Sequence, residues 1–272
     1  MKRNSQENPD LKIDSGQPIC LALGGGSAWG FTHLGVLKCL DERKLKPAVI
    51  AGCSMGAIVA ALYSQLGSAD AAIAAVKKAF SGRTWGLFSI NPFFYPAVFR
   101  TERIGKLFQE IFGSKLIEDL QLPVIITAAD LKTGLPVYFE KGPLVKLLLA
   151  SMSLPVVFPP VRYRQHLLVD GGIASLVPVE PLKGRGTLIA CHAYGQYKPL
   201  LRIPNIFSFY LHNRYLVNYR IGSLEMEKAD IKVYPDTSGT LMHEFHKLDL
   251  LAERGRQAME AALSGSPENL FP

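Results

Sequence analysis

The residues most able to do chemistry lie in three glycine-flanked turns. Gly52-Cys53-Ser54-Met55-Gly56 fits G-x-S-x-G, follows a short apolar run and opens a run of small residues. Such a strand–turn–helix context presents a serine hydroxyl above a sheet edge as a nucleophile, with a glycine two residues to either side relieving clashes in the sharp turn. The bland reading is a small-residue turn needed only for close helix packing. A serine also needs a base. Asp170 ends an apolar run and is followed by Gly171-Gly172, which places its carboxylate on a tight turn. A partly desolvated carboxylate gains basicity and can take a proton without help from histidine; an aspartate that merely caps a turn fits the same pattern. The histidines are His33, His166, His192, His212, His243 and His246. The last three positions suitable for a Ser–acid–His order, His192, His243 and His246, sit in no distinctive loop. His192 lies in an apolar strand and His33 on the first helix, where packing is the expected role.

The third turn is Gly24-Gly25-Gly26-Ser27-Ala28-Trp29-Gly30. Consecutive glycines can aim several backbone N–H groups into one concavity, and a following helix adds positive potential. Such a nest serves a bound phosphate or an oxyanion formed during acyl transfer. A dinucleotide-binding turn would place an acidic residue at the end of the next strand; Ala51-Gly52 stand there instead.

Positioning these turns requires strands that end where they begin. Residues 19–23, 48–51, 123–129, 167–169, 186–193 and 231–234 read as short apolar strands, and 135–140 as a strand forming a hairpin with 123–129 across Lys132-Thr133-Gly134. Residues 32–40, 57–66, 70–80, 144–150, 206–229 and 248–263 carry helical spacing. Short apolar strands alternating with helices predict an α/β sheet that is largely parallel.

Bulk composition is compatible with this. The 272 residues are 48% hydrophobic and 19% charged, enough for one large buried core. No repeat or linker divides the chain, so a single domain is expected over 17–263, with flexible tails at 1–16 and 264–272. The net charge of +7 favours anionic partners. Cys20, Cys39, Cys53 and Cys191 form no CxxC pair and are expected as reduced residues, not as metal ligands. The polar N-terminus lacks the apolar core of a secretory signal, and no run reaches the ~20 apolar residues of a membrane span. The expectation is a cytoplasmic protein, with peripheral contact at the inner face of a membrane left open. Oligomeric state is not legible.

The ordered blocks LALGGGSAWGFTHLGVLKCL, AGCSMGAIVAALYSQLG, DLKTGLPVYFEKG, ASMSLPVVFPPV and LVDGGIASLVPVEPL resemble the patatin-like phospholipase family, including its short bacterial members and the catalytic domain of neuropathy target esterase. The resemblance is dense from about residue 19 to 193 and loosens beyond 200. It implies a three-layer α/β/α fold and a Ser–Asp dyad hydrolysing fatty-acyl esters of lipids without cofactor or metal. Carried over by position, Ser54 is the nucleophile, Asp170 the aspartate of the D-G-[GA] motif, and Gly24, Gly25 and Gly26 the oxyanion loop. Gly30, Gly52, Gly56, Gly171 and Gly172 support these turns, and Asp130 takes a structural part. Trp29, Met55, Pro159 and Pro160 are candidates for the site wall. Trp29 departs from the family, which usually carries Arg or Lys there.

Two stretches bear on access. Residues 84–99 are aromatic and proline-broken, as in a lid or a membrane-facing rim, though a loop folded on the core reads equally well. Residues 202–220 mix aromatic and basic side chains, as in a surface-lying helix; a packing helix is the stronger expectation. No nucleic-acid module motif is present, so none is expected as partner. Other readings kept open are a carboxylesterase, thioesterase or acyltransferase using the same dyad, and a weakly active lipid sensor.

Overall fold

A computed structural model describes residues 16–80, 89–90, 97–195, 197 and 204–265. The chain runs β1 (Ile19–Leu23), α1 (Thr32–Glu42), β2 (Pro47–Cys53), α2 (Met55–Leu66), α3 (Ala69–Phe80), β3 (Ser89–Ile90), β4 (Phe99–Arg100) and α4 (Glu102–Phe112). It continues through β5 (Val124–Asp130), β6 (Pro136–Phe139), α5 (Leu144–Ser151), β7 (Val161–Tyr163), β8 (His166–Asp170), β9 (Thr187–Cys191), α6 (Ile206–Met226), β10 (Ile231–Val233) and α7 (Leu248–Leu263).

The main sheet has the order β10-β9-β1-β2-β5-β8-β7, with β6 also paired to β5. Strands β10, β9, β1, β2 and β5 are mutually parallel. The remaining pairings, β5 with β6, β5 with β8 and β7 with β8, are antiparallel. Their connections explain the change of direction. The Lys132-Thr133-Gly134 turn, with Gly134 at φ 72°, returns β6 on β5, and a tight turn with Arg164 at φ 52° returns β8 on β7.

Every residue of β1, Ile-Cys-Leu-Ala-Leu, is buried, as the central strand of a sheet covered on both faces must be. Each of its large apolar side chains contributes about 1.5–3 kcal/mol on leaving water. One hydrophobic core extends from Ile19 to Leu263. Helices α1 and α7 cross at Gly35 and Gly255, where an added Cβ would meet Ala252 O at 1.7 Å and Thr32 O at 1.8 Å. No larger residue permits that approach.

Helix α4 and strand β7 are not among the elements expected from the sequence. Ile104, Phe108 and Phe112 are buried on α4 with Leu107 and Ile111 half-buried beside them, so this helix does carry a clear amphipathic spacing in its sequence. Strand β7 has only three residues. Within the aromatic stretch 84–99, residues 89–90 form β3 and pair with β4; 84–88 and 91–96 lie outside the described residues, as do 1–15 and 266–272 of the two expected tails.

Candidate active site

The registers along β5 bring Ser54 and Asp170 together. Strand β2 pairs with Val124 to Thr127, β8 pairs with Ala128 to Asp130, and β6 spans Ile126 to Ala129. Because β6 overlaps both, it occupies one edge of β5, and β2 and β8 must follow one another along the other edge. Cys53 is opposite Thr127 and Asp170 opposite Ala128. The C-terminal ends of two strands therefore meet head-on, and the residue after Cys53 turns up beside Asp170.

That residue is Ser54, at φ 52° and ψ −120°. An L side chain in this region costs about 1–3 kcal/mol and persists only where its surroundings over-determine it. They do so here. The Ser54 N–H donates to Ser151 Oγ at 2.8 Å, and Ser151 Oγ–H donates to Thr127 O at 2.6 Å. A Cβ on Gly52 would lie 2.5 Å from the Ala57 backbone, and one on Gly56 would lie 2.1 Å from Leu23 O. Helix α2 begins directly after Ser54, and its ladder starts with Ala57 donating to Ser54 O at 3.0 Å. The N–H groups of Met55 and Gly56 precede that ladder at the positive end of the helix.

Asp170 is buried, and its Oδ1 accepts from the Gly172 N–H at 2.8 Å. Burial pushes its carboxyl above the ordinary value; the Ser54 hydroxyl, the Gly172 N–H and the Arg214 charge pull the other way. Cys53 Sγ lies 3.9 Å from Asp170 Oδ1, and burial beside that carboxylate drives the thiol well above its ordinary pKa. Cys53 is thus a neutral packing residue rather than a rival nucleophile.

In the glycine loop, a Cβ on Gly25 would lie 3.4 Å from Ser54 Cβ, so the loop backs directly onto the serine. The Gly24 N–H donates to Cys191 O and the Gly25 N–H to Leu176 O, each at 3.0 Å. This narrows the expectation of three glycine donors: Gly24 and Gly25 shape the loop, and Gly26 N–H has no partner among the described residues. Buried His33 holds the loop from behind, its Nε2–H donating to Gly24 O at 2.7 Å. Gly30 packs under Met55, whose Cγ would lie 2.4 Å from a Cβ there.

Helix α6 closes the site and supplies residues that the sequence patterns did not reveal. Arg214 donates to Asn218 Oδ1 at 2.5 Å, and Asn218 Nδ2 donates to Tyr194 Oη at 3.1 Å. The same Nδ2 and Asp170 Oδ1 each lie 3.1 Å from where a Gly172 Cβ would stand. Glu225 fastens the loop after Asp170, accepting from Ser175 Oγ and Val177 N at 2.7 Å each, on either side of the carbonyl that receives Gly25. Trp29 is turned into the core. Its Nε1–H donates to Thr240 Oγ1 at 2.9 Å and its ring stands edge-on to Tyr194 and Tyr215. Pro159 and Pro160 are half-buried and lead into β7; the residue of their block that reaches the nucleophile is Ser151. Asp130 binds His166 Nδ1 at 2.9 Å and two backbone N–H groups at 3.1 Å, an arrangement that ties the β5–β6 turn to β8.

Residues 21–183 match the family model of the patatin-like phospholipases. The chain is a member of the patatin-like phospholipase family. An NTE family protein of Mycobacterium tuberculosis is 37% identical over 175 residues, 64% of this chain and 48% of that one. The mouse patatin-like phospholipase domain-containing protein 6 is 30% identical over 194 residues, 69% of this chain and 14% of that one. This patatin-like chain thus spans about half the length of the mycobacterial relatives. The crystal structure of VipD from Legionella pneumophila shares its fold with a TM-score of 0.51 at 13% identity, over 94% of this chain and 70% of that one.

Two tests arise from this patatin-like site. Arg214 and the Asp170 carboxylate attract one another, while Cys53, Tyr194 and Tyr210 are the other titratable groups around that carboxylate. Arg214→Gln removes the cation, so the Asp170 pKa rises. The acid limb of a kcat/KM profile is expected to move to higher pH, whereas loss of packing alone would lower the whole profile without moving the limb. The second test concerns buried His192, whose ring contacts Tyr194, Tyr219 and Tyr234 and whose pKa burial lowers to about 4. The unfolded ring takes a proton below pH 6.5 and the folded one does not, so stability is lost as pH falls from 6.5 towards 4. The full drop corresponds to about 3 kcal/mol. His192→Phe keeps an aromatic ring and should remove about that much of the stability difference between neutral and acid pH, measured by urea unfolding.

Proposed function

We propose that this chain is a serine acyl hydrolase that cleaves fatty-acyl esters of (lyso)phospholipids or related lipids, with Ser54 as nucleophile and Asp170 as base. The observation that carries the reading is Ser54 held at φ 52° at the head-on junction with a buried Asp170. Asp170 takes the Ser54 proton as Oγ bonds to the ester carbonyl carbon, and the carbonyl oxygen becomes an oxyanion. Gly26 N–H and the first N–H groups of α2 stand as its donors, each worth about 3–4 kcal/mol of barrier. The oxyanion collapses, the carbon–oxygen bond to the leaving alcohol breaks, and Asp170 gives that alcohol its proton. Water then attacks the acyl-enzyme while Asp170 takes one of its protons. That proton returns to Ser54 Oγ as the fatty acid leaves.

The test is covalent. Intact mass after exposure to a fluorophosphonate should show a single adduct, absent from Ser54→Ala and slowed in Asp170→Asn. An adduct that survives Ser54→Ala would overturn the assignment of the nucleophile, and a wild type that takes none, in detergent or with lipid, would overturn the hydrolase reading. Turnover rising sharply as the substrate aggregates supports a lipid substrate; equal turnover of short monomeric esters supports a general esterase.

A further inference from the structure

Helix α6 is apolar on two opposite faces. Its inner face presents Tyr215, Asn218, Gly222 and Met226 to the protein, all buried and spaced three or four residues apart. Half a turn away, Ile206, Phe209, Leu216, Val217 and Leu224 form a second stripe whose side-chain-bearing residues are 45% to 82% exposed. A helix packed on one face normally carries polar residues on the other. Here the outward arc is broken only by Asn213 and Arg220 between Ile206 and Leu224. An exposed apolar stripe of this kind marks a surface that meets something other than water.

The charge of the helix selects the occupant. Helix α6 carries Arg214, Arg220 and Glu225. Arg214 and Glu225 are bonded on the inner side, to Asn218 and to Ser175 and Val177, so Arg220 is the charge on the outward arc between Ile206 and Leu224, in a chain of net charge +7. Among the described residues no single helix is long and apolar enough to cross a membrane. A helix with an exposed apolar stripe and a basic residue within it, on a basic chain, lies in the plane of a bilayer interface and favours anionic lipid. The geometry points to the outer face of α6 as the surface that docks this chain on an anionic phospholipid bilayer. The inference extends the lipid-hydrolase reading: the inner face of the same helix carries Asn218 beside the Asp170 turn, so docking holds the dyad about one helix diameter, ~10 Å, from the lipid.

The experiment is sedimentation of the full chain with vesicles of phosphatidylcholine alone and of phosphatidylcholine mixed with phosphatidylglycerol. The wild type should bind the mixed vesicles more tightly. The double variant Leu216→Ser/Val217→Ser, altered only at exposed positions, should bind them about tenfold more weakly with an unchanged melting temperature. Arg220→Gln should lose part of the preference for the anionic mixture. A wild type that ignores anionic vesicles, or a double variant that binds them equally well, overturns the inference. A wild-type dimer that the double variant converts to a monomer, by light scattering, also overturns it and assigns the stripe to a second copy. Fluorophosphonate labelling of Ser54 in detergent reports the dyad separately: its loss would sink the hydrolase reading and leave the vesicle result standing.

Discussion

Ser54→Ala is expected to abolish the fluorophosphonate adduct and to lower kcat by about 10^4-fold or more, the range seen when a nucleophile acting in concert with its base is removed. The expectation rests on an arrangement that serves no evident packing purpose. Ser54 is held at φ 52° by Ser151, by the start of α2 and by the glycines on either side. A glycine at this position relaxes the strain, so Ser54→Gly should be as inactive as Ser54→Ala but about 1 kcal/mol more stable than it, measured by thermal or urea unfolding. Equal stability of the two variants would mean that the elbow stores no strain. Activity surviving in either would place the nucleophile elsewhere.

Asp170→Asn is expected to lower kcat by about 10^2–10^4-fold, the usual contribution of a general base. The substitution keeps the shape and the acceptor for the Gly172 N–H and removes only the charge and the proton-accepting function. The wild-type profile should lose activity as pH falls through the Asp170 pKa, which burial places above the ordinary carboxylate value. In the proposed mechanism only the ionised form accepts the Ser54 proton. In Asp170→Asn the residual activity should lose that limb. Removing a buried charge also spares its desolvation, so the variant should unfold no more easily than wild type at neutral pH. A destabilised variant would indicate that Asp170 is a structural cap first and a base second.

These outcomes separate chemistry from scaffolding among residues that look alike in the sequence. Asp130 and Asp170 are both buried acids at strand ends. Asp130 is surrounded by His166 and two backbone donors, which lower its pKa. Asp170 faces a serine hydroxyl, one backbone donor and a more distant arginine, and its pKa is raised. The first environment stabilises a fixed carboxylate, and the second leaves one able to exchange a proton.

What the sequence determined by itself is local. Apolar runs ending at glycines predict β1, β2 and β8 together with the turns after them, because a buried strand and a sharp turn each need particular residue types at adjacent positions. That marks Ser54, Asp170 and the Gly24 loop, and the correct period of α2, α5 and α7. Tertiary structure alone decided how those turns meet. The head-on junction of β2 and β8 depends on which edge of β5 each strand occupies, and pairing registers between distant segments leave no local signature. The same holds for the loop's donors, since Gly24 and Gly25 are engaged by Cys191 and Leu176, more than 150 positions away. Likewise, Ser151, His33, Arg214, Asn218 and Glu225 are ordinary residues on ordinary helices until packing turns them toward the site. Helix α6 shows the limit most clearly: its composition allowed a packing helix or a surface helix, and only its seating against the loops after β8 and β9 reveals two faces, one beside the Asp170 turn and one left to the outside.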